Sequence, residues 1–389
     1  MSCIYAESSE QQPDSEGVND SQNIPPANYA SYLSTPIGLA TPYRDVEDIA
    51  LTFPADQRRM LELRLLQHFT MVVSFTFPGG QDERVRDLLN NEAVGLGFAH
   101  PFLLNAIFAI SSLHISSNSR GGPQFYARDR EALSVARVVD GPTVSLGGID
   151  PAAAHRVYLN SAVRQQREAI SNISSQNADP IFLSSVMLSY QAANMLPGET
   201  ELSEYTPPMQ WLKMVKAVQA IFLMAQPLLP ADSVAGRIVG FWKPGVLDYD
   251  GIFRVEWRKP FEALLDWSQY PEPNSNSEIH TVYEKTLSYV GRFYNALLDK
   301  EPPRVLLRWF LIFPMIVPPE FLQLVEILRP RALAILAHHI SMSKALDAHW
   351  WCYGIADRHV NGIASIMPAE WMWAMDWPMK MMKSGFRAS

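Results

Sequence analysis

Proline stands at the head of one apolar, helix-periodic segment after another in this chain. It opens the runs beginning at Pro101, Pro151, Pro180, Pro207-Pro208, Pro330 and Pro368, and the pairs Pro302-Pro303 and Pro318-Pro319 bracket the apolar stretch Val305–Val317. A proline has a fixed φ and no N–H, so it suits the first turn of a helix and breaks a helix interior or a central strand. Prolines placed at starts rather than inside imply many short, sharply begun helices. No region alternates apolar and polar residues over several strands, and no short repeat period is present. The expectation is all-α: a multi-helix, bundle-like domain of about a dozen helices.

The individual segments follow from spacing. Met60, Leu63, Leu66, Phe69 and Val73 recur at helical intervals with Arg58, Arg59, Glu62 and Arg64 between them. Further helices are expected over Pro101–Ile115, Gln124–Val139, Pro151–Ile173 and Pro180–Met195, the last with Asp179 as N-cap. Another runs from Pro207 or Pro208 to Pro227. The region 227–275 is irregular, with one helix expected over Glu256–Trp267 and a loop at Pro271–Ser277. Glu278–Leu298, Val305–Val317, Arg331–Leu346 and a last helix from Pro368 towards Pro378 complete the body.

Residues 1–50 differ in texture. They are rich in Ser, Pro and acid, with eight acidic residues against the single base Arg44. Such a segment offers too little apolar surface to offset its chain entropy, so a disordered linker is expected, with one helical domain over 51–389. With the net charge of −8, this leaves the body at about −1. A near-neutral body carries no broad basic surface, so direct DNA binding by this chain is not expected.

Ala93–Ser119 contains no charged residue. Its expected helix of 15 residues reaches only ~22 Å, short of a ~30 Å hydrocarbon core, so a buried helix is expected and no membrane span. No base precedes Arg44, so a charged targeting start is missing.

Several chemistries lack their residues. Gly95-Leu96-Gly97 has no third glycine and no preceding strand, which excludes a dinucleotide fingerprint. There is no phosphate loop, nucleophile elbow or His-Glu-x-x-His helix. A terpenoid-synthase-like carboxylate cluster is approached only by Asp45/Glu47/Asp48 and Asp299/Glu301, neither at the right spacing. His338 and His339 are adjacent and point about 100° apart on a helix, and His349 and His359 lack acids at ligand spacing. All read as core or boundary histidines. Two cysteines, Cys3 and Cys352, make neither a disulfide framework nor a zinc site, and suit a reducing compartment. No metal, cofactor or catalytic residue is expected.

The C-terminal quarter is the most distinctive. The segment with Leu333, Ile335, Leu336, Ile340, Met342 and Leu346 is apolar nearly all round, which implies burial on several sides. Trp350, Trp351, Tyr353, Trp371, Trp373 and Trp377 follow within 28 residues, among six methionines from Met367 to Met382. Large rigid aromatics can be dense core or can wall an apolar cavity, and the residues alone leave both readings open.

Arg329-Pro330-Arg331-Ala332-Leu333-Ala334-Ile335-Leu336-Ala337-His338-His339, then Leu346-Asp347-Ala348-His349-Trp350-Trp351, Pro368-Ala369-Glu370-Trp371 and Asp376-Trp377-Pro378, resemble the C-terminal end of fungal binuclear zinc-cluster transcription factors of the sterol uptake control type. His100–Ile107 with Ser111–His114 is similar to an earlier block of that family. Tyr158-Leu159 and Trp211-Leu212 match weaker ones, over roughly residues 55–380. The resemblance implies an all-α regulatory domain in the nucleus that binds a lipophilic, sterol-like molecule. It also implies a homo- or heterodimer with a related transcription factor, and a role in a fungal metabolic or secondary-metabolite pathway. The pocket is then expected to use Phe102, Asn105, Phe108, Leu336, His339, Ile340, Trp350 and Trp351, with His339 or a tryptophan N–H anchoring one hydroxyl. The family's six-cysteine module has no counterpart here. Ser2-Cys3-Ile4-Tyr5 looks like the flank of its sixth cysteine, which makes Cys3 a remnant of a zinc cluster that was lost or lies outside the coding sequence read. The rival class is an all-α enzyme whose apolar pocket takes a terpenoid or sterol-like substrate.

Overall fold

Helix starts set the architecture, and capping explains most of them. The computed structural model describes residues 53–119, 146–194, 205–242 and 259–384. The N-terminal linker, Cys3 and the helix expected over Gln124–Val139 lie outside the described residues. Helix α1 (Ala55–His68) buries Leu61, Leu65 and His68 and runs on through a π-helical turn, Phe69–Val73, and a last turn, Ser74–Thr76. A second such run comprises α2 (Glu83–Asp87), π-helical Leu88–Ala93 and α3 (Val94–Ala99). The two widened turns pack together, and the Asn90 amide donates to the Thr70 carbonyl at 3.2 Å. A π turn shifts the backbone register, so carbonyls there need other partners.

Helix α4 (Pro101–Ser119) continues past Ile115 and lies along α5 (Pro151–Ser171), the most extensive helix pairing in the molecule. Asp150 caps α5 by accepting from the Ala152 and Ala153 amides, with Pro151 in the first turn where its missing N–H costs nothing. Helix α6 (Ala178–Asn194) begins two residues before Pro180. Asp179 is therefore not its N-cap. Its carboxylate instead accepts from Val234 N and Ala235 N, at 3.1 and 2.8 Å, and caps α8 (Val234–Trp242), a helix the sequence pattern does not reveal.

Helix α7 (Met209–Ala225) joins the two halves, packing on α6 and on α10 (Pro303–Ile316) and α11 (Pro319–Glu326). The region expected as a helix over Glu256–Trp267 is described only as a 3-10 helix, Lys259–Leu265. Asn276 caps α9 (Ser277–Leu298), its side chain accepting from Ile279 N. One proline breaks the pattern of helix starts: Pro314 lies inside α10 and offers no N–H to the Phe310 carbonyl.

Helix α12 (Pro330–Met342) is the axle of the C-terminal half, and every residue from Arg331 to Met342 is buried. It packs on α9, α11, α13 (Ile355–Ile366) and α14 (Asp376–Ser384). The expected helix from Pro368 is a 3-10 turn, Ala369–Met375, followed by α14, which tolerates Pro378 because it falls in the first turn. A single connected apolar core runs from Phe53 to Met375. No strand occurs among the described residues, so the fold is all-α. No single helix among them is long and apolar enough to cross a membrane.

Candidate functional site

The eight residues expected to share a pocket fall into three places. Phe102, Asn105 and Phe108 lie on α4: Phe102 is buried beside His100, while the Asn105 amide donates to Gln165 Oε1 of α5 at 3.1 Å and Phe108 meets Tyr158 of α5 edge-on at 5.2 Å. Leu336, His339 and Ile340 lie inside the C-terminal half on α12, each fully buried. Trp350 and Trp351 sit on the turn after α12 and reach the N-terminal half. Trp350 Nε1 donates to Thr76 Oγ1 at 2.9 Å, and Trp351 packs on Tyr190 with ring centroids 5.5 Å apart. The α4 residue that meets Trp350 is His114, at 4.8 Å between ring centroids, rather than Phe102, Asn105 or Phe108.

Around Trp350 the two halves meet in a buried polar seam. His68 Nε2 and His114 Nδ1 are 2.9 Å apart, so one ring donates the single proton between them and both stay neutral. Burial lowers His68 to about 4. Burial, then the His68 ring, lowers His114 well below its ordinary value. Tyr190 also lines a small, partly open cavity of about 20 Å³, together with Phe77, Val85, Leu89, Leu183, Met187 and Ile238 of α8. That is room for about one water molecule. None of the eight expected residues lines it. Sequence reading missed His68, His114 and Tyr190. Their only signal was a polar residue placed on an apolar helical stripe, which most satisfied core residues share.

The two adjacent histidines of α12 part as helix geometry requires. His338 Nδ1 bonds the Ala334 carbonyl at 2.7 Å, and its ring stacks on Trp377 at 5.0 Å. His339 enters an aromatic cage. Its ring stacks on Phe313 at 3.8 Å and on Phe310 at 5.4 Å, with Phe293 at 5.5 Å. Neither of its nitrogens has a hydrogen-bond partner. The Phe310 carbonyl, to which Pro314 can offer no N–H, favours protonation of the ring without reaching hydrogen-bond geometry. Burial nevertheless holds His339 neutral, down to about 3. On the other side of Phe310, Trp211 stacks at 5.3 Å, and its buried Nε1 is also unpartnered. A neutral imidazole carries one donor and one acceptor, so three buried polar atoms in this cage lack partners. Each such atom costs about 1–3 kcal/mol, and native proteins hold few of them.

Two further tryptophans, Trp267 and Trp371, are packed against charge. Arg331 is completely buried between Trp267 and Trp371, with its guanidinium 4.4 and 5.0 Å from the two rings. It donates to the Leu264 and Tyr270 carbonyls, while its backbone N–H donates to Glu272. Tyr283 donates to the other Glu272 oxygen at 2.9 Å. Cys352 is buried, and burial keeps its thiol protonated and unreactive. No three His, Cys, Asp or Glu side chains among the described residues gather at metal-binding distance.

Comparison with known proteins gives a consistent kinship. No family model matches the chain. The chain is 26% identical over 284 residues to the Zn(2)-C6 fungal-type transcription factor afumD of Aspergillus fumigatus (strain CBS 144.89 / FGSC A1163 / CEA10), covering 72% of this chain and 66% of that protein. A Zn(2)-C6 fungal-type transcription factor of Gibberella zeae is 23% identical over 350 residues, which is 83% of this chain and 62% of the relative. Sterol uptake control protein 2 of Candida albicans is 27% identical over 174 residues, or 44% of this chain and 20% of that one. The chain thus spans less than two thirds of the length of the curated relatives it matches. Two long matches and one shorter one show that this all-helical chain is similar to Zn(2)-C6 fungal-type transcription factors.

Proposed function

We propose that the chain is a transcriptional regulator, or the regulatory half of one. It acts in the nucleus without catalysis and responds to a lipophilic small molecule that carries one polar group. Its relatives are transcription factors, and the name of one speaks of sterol uptake control. A fungal metabolic or secondary-metabolite pathway is the corresponding target.

The observation that carries the ligand reading is the His339 cage. Three unpartnered buried polar atoms inside a wall of rings weaken the empty domain, and a ligand hydroxyl that donates to one imidazole nitrogen of His339 would satisfy one of them. Pro314 supplies the means of entry, because the interrupted hydrogen-bond ladder of α10 lets that wall bend away from α12.

The test is a thermal-shift panel of sterols and other lipophiles on the purified chain. A binder at 100 times its dissociation constant adds ~2.7 kcal/mol to stability by mass action. In His339→Phe that increment should vanish while the domain stays folded. Ala337→Trp, which fills space on α12, should remove it as well. If no lipophile moves the melting curve and Ala337→Trp only unfolds the chain, the cage is plain core and the ligand reading falls.

A further inference from the structure

The segment entering α7 carries a contact at the edge of the core, outside the His339 cage. Tyr205 lies across α13, over Gly362. A Cβ built on Gly362 would stand 2.2 Å from two Tyr205 ring carbons, so only glycine leaves room for the ring. The Tyr205 hydroxyl and His359 Nδ1 are 3.0 Å apart, and the two ring centroids 6.0 Å. A strap from the start of α7 is thereby fastened to a helix more than 150 residues later in the chain.

Next to this fastening stand a cation and an exposed hydroxyl. Arg358, the neighbour of His359, is half-buried and has no ion-pair partner among the described residues. The preceding acid, Asp357, is taken by Lys344 at 2.5 Å. Desolvation lowers Arg358, and the near Tyr205 hydroxyl offsets this only in part. Thr206 is exposed and directly follows Tyr205, and the buried Pro207 comes after it. A half-buried guanidinium without a counter-ion is a ready receiver for a phosphate, which it can bind with two parallel hydrogen bonds.

We propose that Thr206 is a phosphorylation site, and that its phosphate is received by Arg358 and locks the Tyr205 strap onto α13. The Thr-Pro pair is the acceptor a proline-directed protein kinase takes, with ATP as donor. The Thr206 Oγ1–P bond forms as the bond between the γ-phosphorus and its bridging oxygen breaks. ADP leaves with that electron pair, and the hydroxyl proton passes to the kinase's base. The product adds a charge of about −1.5 to −2 one residue from a hydroxyl that already feels Arg358. The strap then gains a charge-assisted pair in addition to the Tyr205–His359 bond, and α7 and α13 become more firmly joined.

The experiment treats the full chain with a proline-directed kinase and Mg-ATP, maps the phosphate by mass spectrometry and compares melting curves. Modification at Thr206 with a rise of about 2 °C is expected. The rise should be lost in Arg358→Gln, and Thr206→Ala should show neither label nor shift. By phosphorus NMR, the second ionisation of the phosphothreonine should fall below its usual ~6 in the wild type and return towards it in Arg358→Gln. Should Arg358→Gln not fold, Arg358→Lys keeps the charge without the fork and should show about half the rise. Labelling that spares Thr206, or a phosphate there with the same melting and titration behaviour in the Arg358 variants, overturns the proposal.

Discussion

The seam around Trp350 and the cage around His339 are built from the same materials: histidine, large aromatics and aliphatic helix faces. In the seam, His68 meets His114 and Trp350 reaches Thr76. In the cage, His339 and Trp211 stack on rings and their ring nitrogens have no hydrogen-bond partner. Stability alone favours the first arrangement, since a buried donor without an acceptor forfeits its hydration for nothing. The difference teaches that a buried histidine can be read in two ways. A paired one fixes the fit of two helices, whereas an unpaired one in a closed aromatic wall marks a place where the empty protein is incomplete.

The largest expected effect is acid lability, shared by both regions. In the folded chain His68 and His338 are lowered to about 4, and His339 and His359 to about 3, chiefly by burial. In the unfolded chain each returns to about 6.5. Between these values the unfolded state binds protons that the folded state refuses, so stability rises with pH across that window. It is fully present above pH ~6.5 and is lost as pH falls towards 4 and 3, by on the order of 3 kcal/mol for His68 or His338 alone. Urea melts at pH 7 and 5 check this. Equal midpoints would mean that the histidines are solvated and that neither region is closed.

The next effect separates the two regions by sign. His114→Leu leaves His68 without its partner and should destabilise the domain by about 2 kcal/mol. His339→Phe keeps the ring's shape, removes two unmet polar atoms and should stabilise it by about 1 kcal/mol. Denaturant midpoints measure both, and two losses of similar size would erase the distinction.

The smallest effect concerns pairing made at a distance. Asp179→Ala leaves Ser233 as the only side-chain cap of α8 and should cost about 1 kcal/mol, seen as faster amide exchange over Val234–Trp242 with α6 itself little changed. Loss of protection in α6 instead would show that Asp179 serves its own helix.

Much of the fold was legible because its signals are local. Pro151 behind Asp150, Asn276 before Ser277 and Pro330 at the head of an apolar run each carry their cap or first turn with them. What was not legible is what distant residues decide. Helix α8 has a local cap in Ser233, which accepts from Gly236 N, but its first two amides are held by a side chain 55 positions earlier, and that half of the cap has no signal near Val234. A proline inside a helix removes one rung of its ladder, yet α10 runs through Pro314 because α7 and α9 pack along it. For the expected pocket, composition identified His339 as a histidine set among apolar residues. It could not divide Phe102, Asn105 and Phe108 from α12, because which faces meet depends on crossing angles that no single segment encodes.

Arg331 has a consequence for the order of folding. Its guanidinium holds the carbonyls of Leu264 and Tyr270, which lie 67 and 61 residues back along the chain. Closing a loop of that length costs chain entropy that local helices do not incur. A desolvated guanidinium is tolerable only once those carbonyls and the Trp267 and Trp371 faces are in place. The helix behind Pro330 can thus form early from its own sequence, whereas the stretch from Lys259 to Tyr270 acquires its shape only when that helix arrives. The stretch is a mould cast on α12 rather than an element of its own, and so it settles into a 3-10 turn where its sequence alone suggests a regular helix.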